Sequence, residues 1–133
     1  LRAEGKLKTS GKDSDRITFH DPCQINRRGG INKEPRRLLN MVADNFVETG
    51  DAGTMNWCCS AGGGVGANER AGDLKHAAFQ LKKRQFEKVA PDKIVTMCAF
   101  CHHTLENALE DNDMDIEVAG LTEMMAEYLE DED

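Results

Sequence analysis

The chain has 133 residues, an ordinary length for one compact domain, and a formal net charge of -7 from 17 Lys and Arg against 24 Asp and Glu. This acidic balance argues against nucleic acid or an anionic membrane as the main partner. The sequence has no apolar stretch near the roughly 20 residues that cross a bilayer, and no signal-peptide pattern at its start. We therefore expect a cytoplasmic domain that does not itself insert into a membrane.

Polar residues dominate the first part of the chain, up to the run Thr9-Ser10-Gly11-Lys12. We interpret residues 1–15 as a linker and residues 16–133 as one domain. Because the sequence begins at Leu1 rather than at Met, we expect the chain to be a fragment of a larger subunit.

The first predicted elements are a strand, a helix and an extended stretch. Residues 16–20 are a β-branched and aromatic run that predicts a strand, which Asp21-Pro22 stops. Apolar residues at helical spacing predict an amphipathic helix over residues 33–47. Residues 54–57 then predict a short strand that ends directly before Cys58-Cys59.

A glycine-rich turn over residues 60–66 precedes a long predicted helix, for which Asn68 is the expected N-cap. The predicted buried face of this helix consists of Leu74, Ala78, Leu81 and Phe86. The remaining predicted elements are a strand, a helix, a strand and a helix, over residues 93–97, 102–110, 115–118 and 121–129. An acidic tail over residues 130–133 closes the chain.

The alternation of strands and helices predicts an α/β fold, in which a mostly parallel sheet is flanked by helices. The three cysteine groups, Cys23, Cys58-Cys59 and Cys98-x-x-Cys101, each follow a predicted strand. Ligand sites of parallel sheets lie at the carboxyl ends of the strands. The sequence therefore predicts a single site that contains all five cysteines.

Five cysteines cannot all pair within one chain, and a cytosolic setting keeps most thiols reduced. Metal ligation or redox chemistry explains them better than structural disulfides do. Thiolates select zinc, copper(I) or iron-sulfur clusters. One tetrahedral zinc ion has difficulty binding the adjacent Cys58 and Cys59, so the pattern favours a multi-iron centre, with zinc as the alternative.

Further residues near the cysteines are candidates for supporting roles. His20 and His102 are candidate proton donors beside the sulfur ligands. Ser60, Gly62 and Gly63 form the turn after the cysteine pair, where backbone N-H groups can approach sulfide.

Arg27 and Arg28 belong to a basic island near Cys23 in an otherwise acidic chain. They predict an anion site that steers an acidic partner protein, or a carboxylate or sulfonate on a small disulfide, toward the cysteines. A solvated charged surface is the alternative interpretation of the same residues.

The spacing of the cysteine groups resembles that of the CCG, or cysteine-rich, domain of heterodisulfide reductases. The string His20-Asp21-Pro22-Cys23 and the glycines after Cys59 also fit this family, and the resemblance covers residues 16–130. Ser60 stands where the family usually has Gly, and the ferredoxin-type cysteine motifs that are common in the family's subunits are absent from this sequence. The finer similarity is to the C-terminal part of the heterodisulfide-reductase-like DsrK subunits of DsrMKJOP complexes.

This resemblance implies an oxidoreductase domain that acts on sulfur groups. All five cysteines would bind one non-cubane 4Fe-4S cluster, at which a disulfide is reduced in two one-electron steps. The implied partners are other subunits of a membrane-associated electron-transfer complex at the inner face of the membrane. The implied substrate is a small thiol/disulfide protein such as the sulfur carrier DsrC, or a small-molecule disulfide, in anaerobic sulfur and energy metabolism.

Two other functions are compatible with the sequence. The domain could relay electrons as part of an iron-sulfur subunit of a lactate- or glycolate-oxidising complex, in which case it would not react with disulfides. It could instead be a zinc-stabilised interaction module without redox activity. Metal analysis separates the zinc alternative from both iron-sulfur functions.

Overall fold

The structure, a computed structural model, describes residues 4–130 and consists of a four-stranded sheet with helices on both faces. The strands are β1 (Asp13–Phe19), β2 (Ala43–Phe46), β3 (Lys93–Thr96) and β4 (Glu117–Gly120). The α-helices are α1 (Lys33–Val42), α2 (Gly72–Val89), α3 (Ala99–Glu110) and α4 (Leu121–Glu127). A π-helical turn covers Gln24–Arg28, and 3-10 turns cover Gly53–Met55, Gly62–Ala67 and Glu69–Ala71.

All neighbouring strands are parallel and lie in the order β2-β1-β3-β4, which confirms the predicted α/β fold with a parallel sheet. The chain moves from β1 toward one edge of the sheet and from β3 toward the other. The crossover helices α1 and α3 therefore lie on opposite faces. The direction of the strand order reverses between β1 and β3, and parallel α/β folds hold their ligands at the carboxyl ends of the strands at such a point.

The core has one hydrophobic cluster on each face of the sheet. On the first face α1 and α4 pack on residues of β1 and β3, and the buried members are Ile17, Phe19, Leu39, Val42, Ala43, Val95, Leu121, Met124 and Met125. On the second face α2 and α3 pack on the sheet, and the buried members are Cys59, Ala61, Phe79, Phe86, Ile94, Cys101, Leu105 and Leu109. Two of the five cysteines are thus part of the core itself.

The structure corrects the prediction of the second strand. The predicted helix over residues 33–47 ends at Val42, and Ala43 adopts extended backbone angles (φ -126, ψ 130) that begin β2. The predicted helix is too long because Phe46 lies four residues after Val42, which fits helical spacing. In the structure this segment pairs with β1 instead, and Val47 N donates to Ile17 O at 2.8 Å. The predicted strand over residues 54–57 is wrong, since this segment is a 3-10 turn and irregular backbone. The cysteine pair therefore follows a long loop, not a strand.

The start of β1 and the buried face of α2 also differ from the predictions. β1 begins at Asp13, before the predicted start at residue 16, and the side chain of Asp13 accepts from Lys93 Nζ at 2.6 Å. On α2 the predicted Leu74 and Leu81 are 59% and 41% exposed, and the buried residues are Phe79, Lys82 and Phe86.

Asn68 caps the 3-10 turn over Glu69–Ala71, which leads into α2, because its side chain accepts from Arg70 N at 3.0 Å. Ser10 N donates to Tyr128 O at 2.8 Å, so part of the predicted linker contacts the end of the chain. The division into residues 1–15 and 16–133 stays a prediction, and residues 1–3 and 131–133 lie outside the described residues. Between residues 4 and 130, the helices are too short or too polar to cross a membrane.

Candidate metal centre

The carboxyl ends of β1 and β3 deliver three of the five cysteines to one place. His20 N donates to Val95 O at 2.9 Å and Thr96 Oγ1 donates to His20 O at 3.1 Å, so the two strand ends are fixed side by side. Cys23 follows β1 after a short turn. Cys98 is the N-cap of α3, and its Sγ accepts from Cys101 N at 3.5 Å in the first turn of that helix.

The long loop after β2 brings the remaining pair to the same place. Cys59 is 3% exposed and Cys101 is 7% exposed, and their Sγ atoms lie within 4.8 Å of each other and of a ring nitrogen of His20. Cys58 and Cys98 are half-buried and pack against this buried group. Cys23, also half-buried, hydrogen bonds to Cys58. The structure therefore brings the five predicted cysteines together, all as free thiols.

Crowding and burial oppose the ionisation of three of these thiols in the protein without metal, by raising the pKa values of Cys59, Cys58 and Cys23. The hydrogen bond from Cys59 to Cys101 is the main cause that raises the pKa of Cys59, to about 11. The hydrogen bond between Cys58 and Cys59 raises the pKa of Cys58 further still, and burial raises the pKa of Cys23. A metal centre relieves this crowding because its positive charge stabilises the thiolates. The donor set therefore fits a centre that binds several soft sulfur ligands at once.

Backbone amides of the glycine-rich turn approach the sulfur of Cys58. Ser60 N donates to Cys58 Sγ at 3.3 Å, and the backbone N-H of Gly62 also hydrogen bonds to this thiol and lowers its pKa. A Cβ atom on Gly62 would lie 3.2 Å from Cys58 Sγ, so glycine permits this close approach. Gly63 has φ +65, a left-handed conformation that glycine adopts without strain. The turn thus supplies hydrogen-bond donors to the sulfur of Cys58.

Ser60 occupies a backbone conformation that suits glycine. Its φ is 88, which is strained for a residue with a Cβ atom. The serine therefore adopts this turn at a cost in backbone energy.

Replacing Ser60 with Gly is expected to raise the free energy of unfolding by about 1 kcal/mol, because it removes the strain of the left-handed conformation. Ser60→Ala keeps the Cβ atom and is the matched control, with an expected change within about 0.5 kcal/mol. Chemical denaturation of the reduced protein without metal measures both. Equal stability of the two variants would mean that the turn relaxes around Ser60.

A buried carboxylate holds the long loop onto the end of β1. Asp21 is fully buried in its side chain, and Arg36 Nη1 and Nη2 donate to its two oxygens at 2.8 and 2.7 Å. Gly53 N, in the loop, donates to Asp21 Oδ2 at 2.8 Å. Arg36 also pairs with Glu48, and these two carboxylates raise the pKa of the guanidinium. Asp21 therefore positions the segment that carries the cysteine pair.

His20 faces the sulfurs, whereas His102 does not. His20 is fully buried, and within the described residues neither ring nitrogen has a hydrogen-bond partner. Burial, together with the charge of Lys82, holds its pKa well below the usual value, so the imidazole is neutral and carries one N-H. His102 Nε2 lies 3.3 Å from Glu106 Oε1 on the partly exposed side of α3. His20 is the histidine that can donate to a sulfur ligand.

The two arginines of the predicted anion site have different surroundings. Arg27 Nη2 donates to the backbone oxygen of Asn56 at 2.7 Å, and its charge lowers the pKa of Cys23 against the larger effect of burial. Arg28 is exposed, and its Nη1 donates to Gln24 Oε1 at 3.2 Å. Arg27 is thus close enough to influence the thiol of Cys23, and the anion site stays a prediction.

Lys82 is a residue of the site that the sequence analysis missed. It is fully buried, and its Nζ donates to Asn56 Oδ1 at 2.7 Å. Burial lowers its pKa to about 8, against the opposing effects of Asp21, Cys59 and Cys23. The signal was present in the sequence, because Phe79, Lys82 and Phe86 share one helical face.

Residues 17–106 match the family of cysteine-rich domains known as CCG. The chain is 31% identical over 112 residues to one of the subunits of fumarate reductase (CoM/CoB) from Methanothermobacter marburgensis, an alignment that covers 83% of this chain and 22% of the relative. It is 31% identical over 125 residues to one of the subunits of dihydromethanophenazine:CoB--CoM heterodisulfide reductase from Methanosarcina barkeri. This alignment covers 93% of this chain and 30% of the relative. It is 32% identical over 118 residues to an Hdr-like menaquinol oxidoreductase iron-sulfur subunit of Archaeoglobus fulgidus. This alignment covers 84% of this chain and 21% of the relative.

The chain spans less than a third of the length of these relatives. No solved structure matches it. The relatives are subunits of oxidoreductases by name, and the matched residues contain all five cysteines, which supports an iron-sulfur redox role for this domain. The chain belongs to the CCG family of cysteine-rich domains and is a relative of the heterodisulfide reductases.

Proposed function

We propose that this domain moves electrons to or from a disulfide/thiol substrate through an iron-sulfur cluster bound by Cys23, Cys58, Cys59, Cys98 and Cys101. The observation that carries the proposal is the convergence of these five free thiols at the carboxyl ends of β1 and β3. The domain would be the cluster-bearing part of a heterodisulfide-reductase-like subunit. The relative from Methanosarcina barkeri is named for the CoB--CoM heterodisulfide, which supports a disulfide as the substrate class.

The burial of the cysteines supports a site with one closed and one open side. Cys59 and Cys101 belong to the core, whereas Cys23, Cys58 and Cys98 are half-buried and can be approached from outside. When bound, a non-cubane 4Fe-4S cluster supplies or accepts one electron at a time. The closed side excludes water from the buried ligands, and the open side admits a substrate sulfur.

Reduction of a disulfide consumes two electrons and two protons and yields two thiols. The electrons would come from other subunits of a membrane-associated complex, and the protons from solvent at the open side. His20 can hold its single N-H as a donor to a buried sulfur ligand, because both ring nitrogens are free of other hydrogen bonds within residues 4–130.

Exposed apolar side chains around the open side support a protein partner. Met55, Trp57 and Phe100 are 69%, 39% and 53% exposed, and each lies within a few residues of a cysteine. Large exposed apolar side chains next to a site are candidates for an interaction surface. We propose a small disulfide protein of the DsrC type as the partner, with Arg27 and Arg28 attracting acidic groups at the rim.

Electron relay without disulfide chemistry is the second candidate function. A relative is named a menaquinol oxidoreductase iron-sulfur subunit, so similar domains occur in proteins that are named for quinol and not for a disulfide. As a relay, the domain would pass electrons between protein partners, as in lactate- or glycolate-oxidising complexes, and its open side would face another redox centre.

The test begins with iron and sulfide analysis and electron paramagnetic resonance of the anaerobically purified protein. The reduced protein is then mixed with the CoB--CoM heterodisulfide and, separately, with a soluble quinone. Reoxidation by the heterodisulfide with release of two thiols per two electrons would support the disulfide function. Reoxidation by the quinone alone would favour electron relay. Stoichiometric zinc without iron after anaerobic reconstitution would contradict both.

A further inference from the structure

Lys82 is a buried cation whose contacts within the protein do not balance its charge. The side chain lies on α2 between Phe79 and Phe86, with its Nζ 5.4 Å from the centre of the Phe86 ring. Among residues 4–130 its one hydrogen-bond acceptor is the neutral Asn56 Oδ1, and no carboxylate oxygen lies within ion-pair distance. A buried ammonium is costly unless an opposite charge lies close to it.

The carboxylate that acts most strongly on the pKa of Lys82 already has its own cation. Asp21 forms two hydrogen bonds with the Arg36 guanidinium and a third with a backbone N-H. Lys82 is therefore not required to neutralise Asp21. Besides Asp21, the ammonium also interacts electrostatically with Cys59 and Cys23, and it acts on the buried His20 beside them.

Hydrogen bonds tie Lys82 to the segments that precede Cys23 and the cysteine pair. Asn56, which accepts the hydrogen bond, lies in the segment just before the cysteine pair, and its Nδ2 donates to the backbone oxygen of Asp21. The ammonium is thus fixed beside the segment that carries Cys58-Cys59 and, through Asn56, is linked to the segment that carries Cys23. Water does not screen it, because both Lys82 and Asn56 are buried.

We propose that Lys82 is the counter-charge of the iron-sulfur cluster and holds its reduction potential up. The inference rests on the proposed function only in that the five cysteines bind a cluster. Thiolate and sulfide ligands make such a cluster anionic, and reduction adds one more negative charge from an external donor. A fixed positive charge in a low-dielectric site stabilises the reduced form more than the oxidised form. Lys82 is a positioning residue in this role, since it touches neither substrate nor ligand sulfur.

Lys82→Met removes the charge and keeps an unbranched side chain of similar length. At the potential where the wild-type cluster is half reduced, we expect the ratio of reduced to oxidised cluster to fall about tenfold. For a one-electron couple this corresponds to a midpoint about 59 mV more negative. A redox titration with dithionite, followed by electron paramagnetic resonance, measures the ratio. Lys82→Gln, which retains hydrogen-bonding capacity toward Asn56, is expected to show the same direction of shift.

Lys88→Met is the matched control, because Lys88 lies on the same helix and is exposed. It changes the net charge equally and is expected to change the ratio less than twofold. A second readout uses the protein without metal, where the ammonium has no cluster to face. There, Lys82→Met is expected to raise the unfolding midpoint in denaturant, whereas a purely structural lysine would make the variant less stable.

The outcomes separate this inference from the proposed function. An iron-loaded Lys82→Met protein with the wild-type midpoint would overturn the role of Lys82 and leave the cluster assignment intact. A lower unfolding midpoint of the metal-free variant would equally argue against a counter-charge. Wild-type protein that contains no iron would overturn the cluster and the inference together. Failure to react with disulfides would affect only the proposed substrate, since the redox titration uses none.

Discussion

Cys59→Ser is expected to lower the iron and sulfide bound after anaerobic reconstitution at least about tenfold. Cys59 is a core residue, and its sulfur lies within 4.8 Å of Cys101 Sγ and of a His20 ring nitrogen. A serine hydroxyl does not ionise near neutral pH and is a harder donor than a thiolate, so it does not replace this ligand. Iron and sulfide analysis per folded chain measures the effect.

Ser60→Ala is the control for this loss, because it changes the neighbouring residue and leaves all five thiols in place. Its iron content is expected to match the wild type. Circular dichroism of both variants without metal checks that the sheet still forms. If Cys59→Ser bound as much iron as the control, Cys59 would be a buried core thiol and not a ligand.

Asp21→Asn is expected to lower the free energy of unfolding by about 3–5 kcal/mol, the range for breaking a buried ion pair by removing one partner. Its carboxylate accepts from Arg36 and from Gly53 N, and it contributes negative charge near the buried Lys82. An asparagine retains the shape but presents an amide N-H₂ group to one of these donors. Urea denaturation of the reduced, metal-free protein measures the change.

Asp44→Asn provides the comparison with an exposed carboxylate. Asp44 lies on β2, and its side chain is 65% exposed in an ion pair with Lys12 at 3.5 Å. Exposed pairs of this kind contribute about 0–1 kcal/mol, so this variant should remain close to wild type. Destabilisation of the same size in both variants would show that the burial of Asp21 does not matter.

Local patterns predicted the strands that carry the site. The β-branched runs at β1 and β3 are short, buried and bounded by a proline turn or a cysteine, so their ends can be located from the sequence. These two strands are the central pair of the sheet. Their carboxyl ends lie together in any parallel arrangement that pairs them, which is why the meeting of Cys23 with the Cys98 group could be predicted.

The second strand could not be predicted, because pairing with β1 determines it. Residues 43–46 continue the apolar spacing of α1, and only the backbone hydrogen bonds to β1 reveal a strand at the edge of the sheet. The residue at which the loop after β2 begins could therefore not be located from the sequence. Its attachment through Asp21, Arg36 and Gly53 depends on contacts between distant segments, which a periodic pattern does not contain.

Lys82 was missed for a related reason. Charged residues near the C-terminus of a helix are usually solvated, and the leucines of α2 indicated a different buried face. In the structure those leucines are exposed and the lysine is inside. Which face of α2 packs on the sheet depends on the whole fold, and the charge becomes informative only once its burial is known.

All five cysteines lie within the matched segment, residues 17–106. This segment also contains β2, β3 and the end of β1, so only the edge strand β4 and the first residues of β1 lie outside it. The relatives whose alignments with this chain cover 22%, 30% and 21% of their own length bear different enzyme names. A domain that contains its whole set of cysteines can occur in different enzymes. Its redox centre can be joined to different electron donors without the donor set having to evolve again.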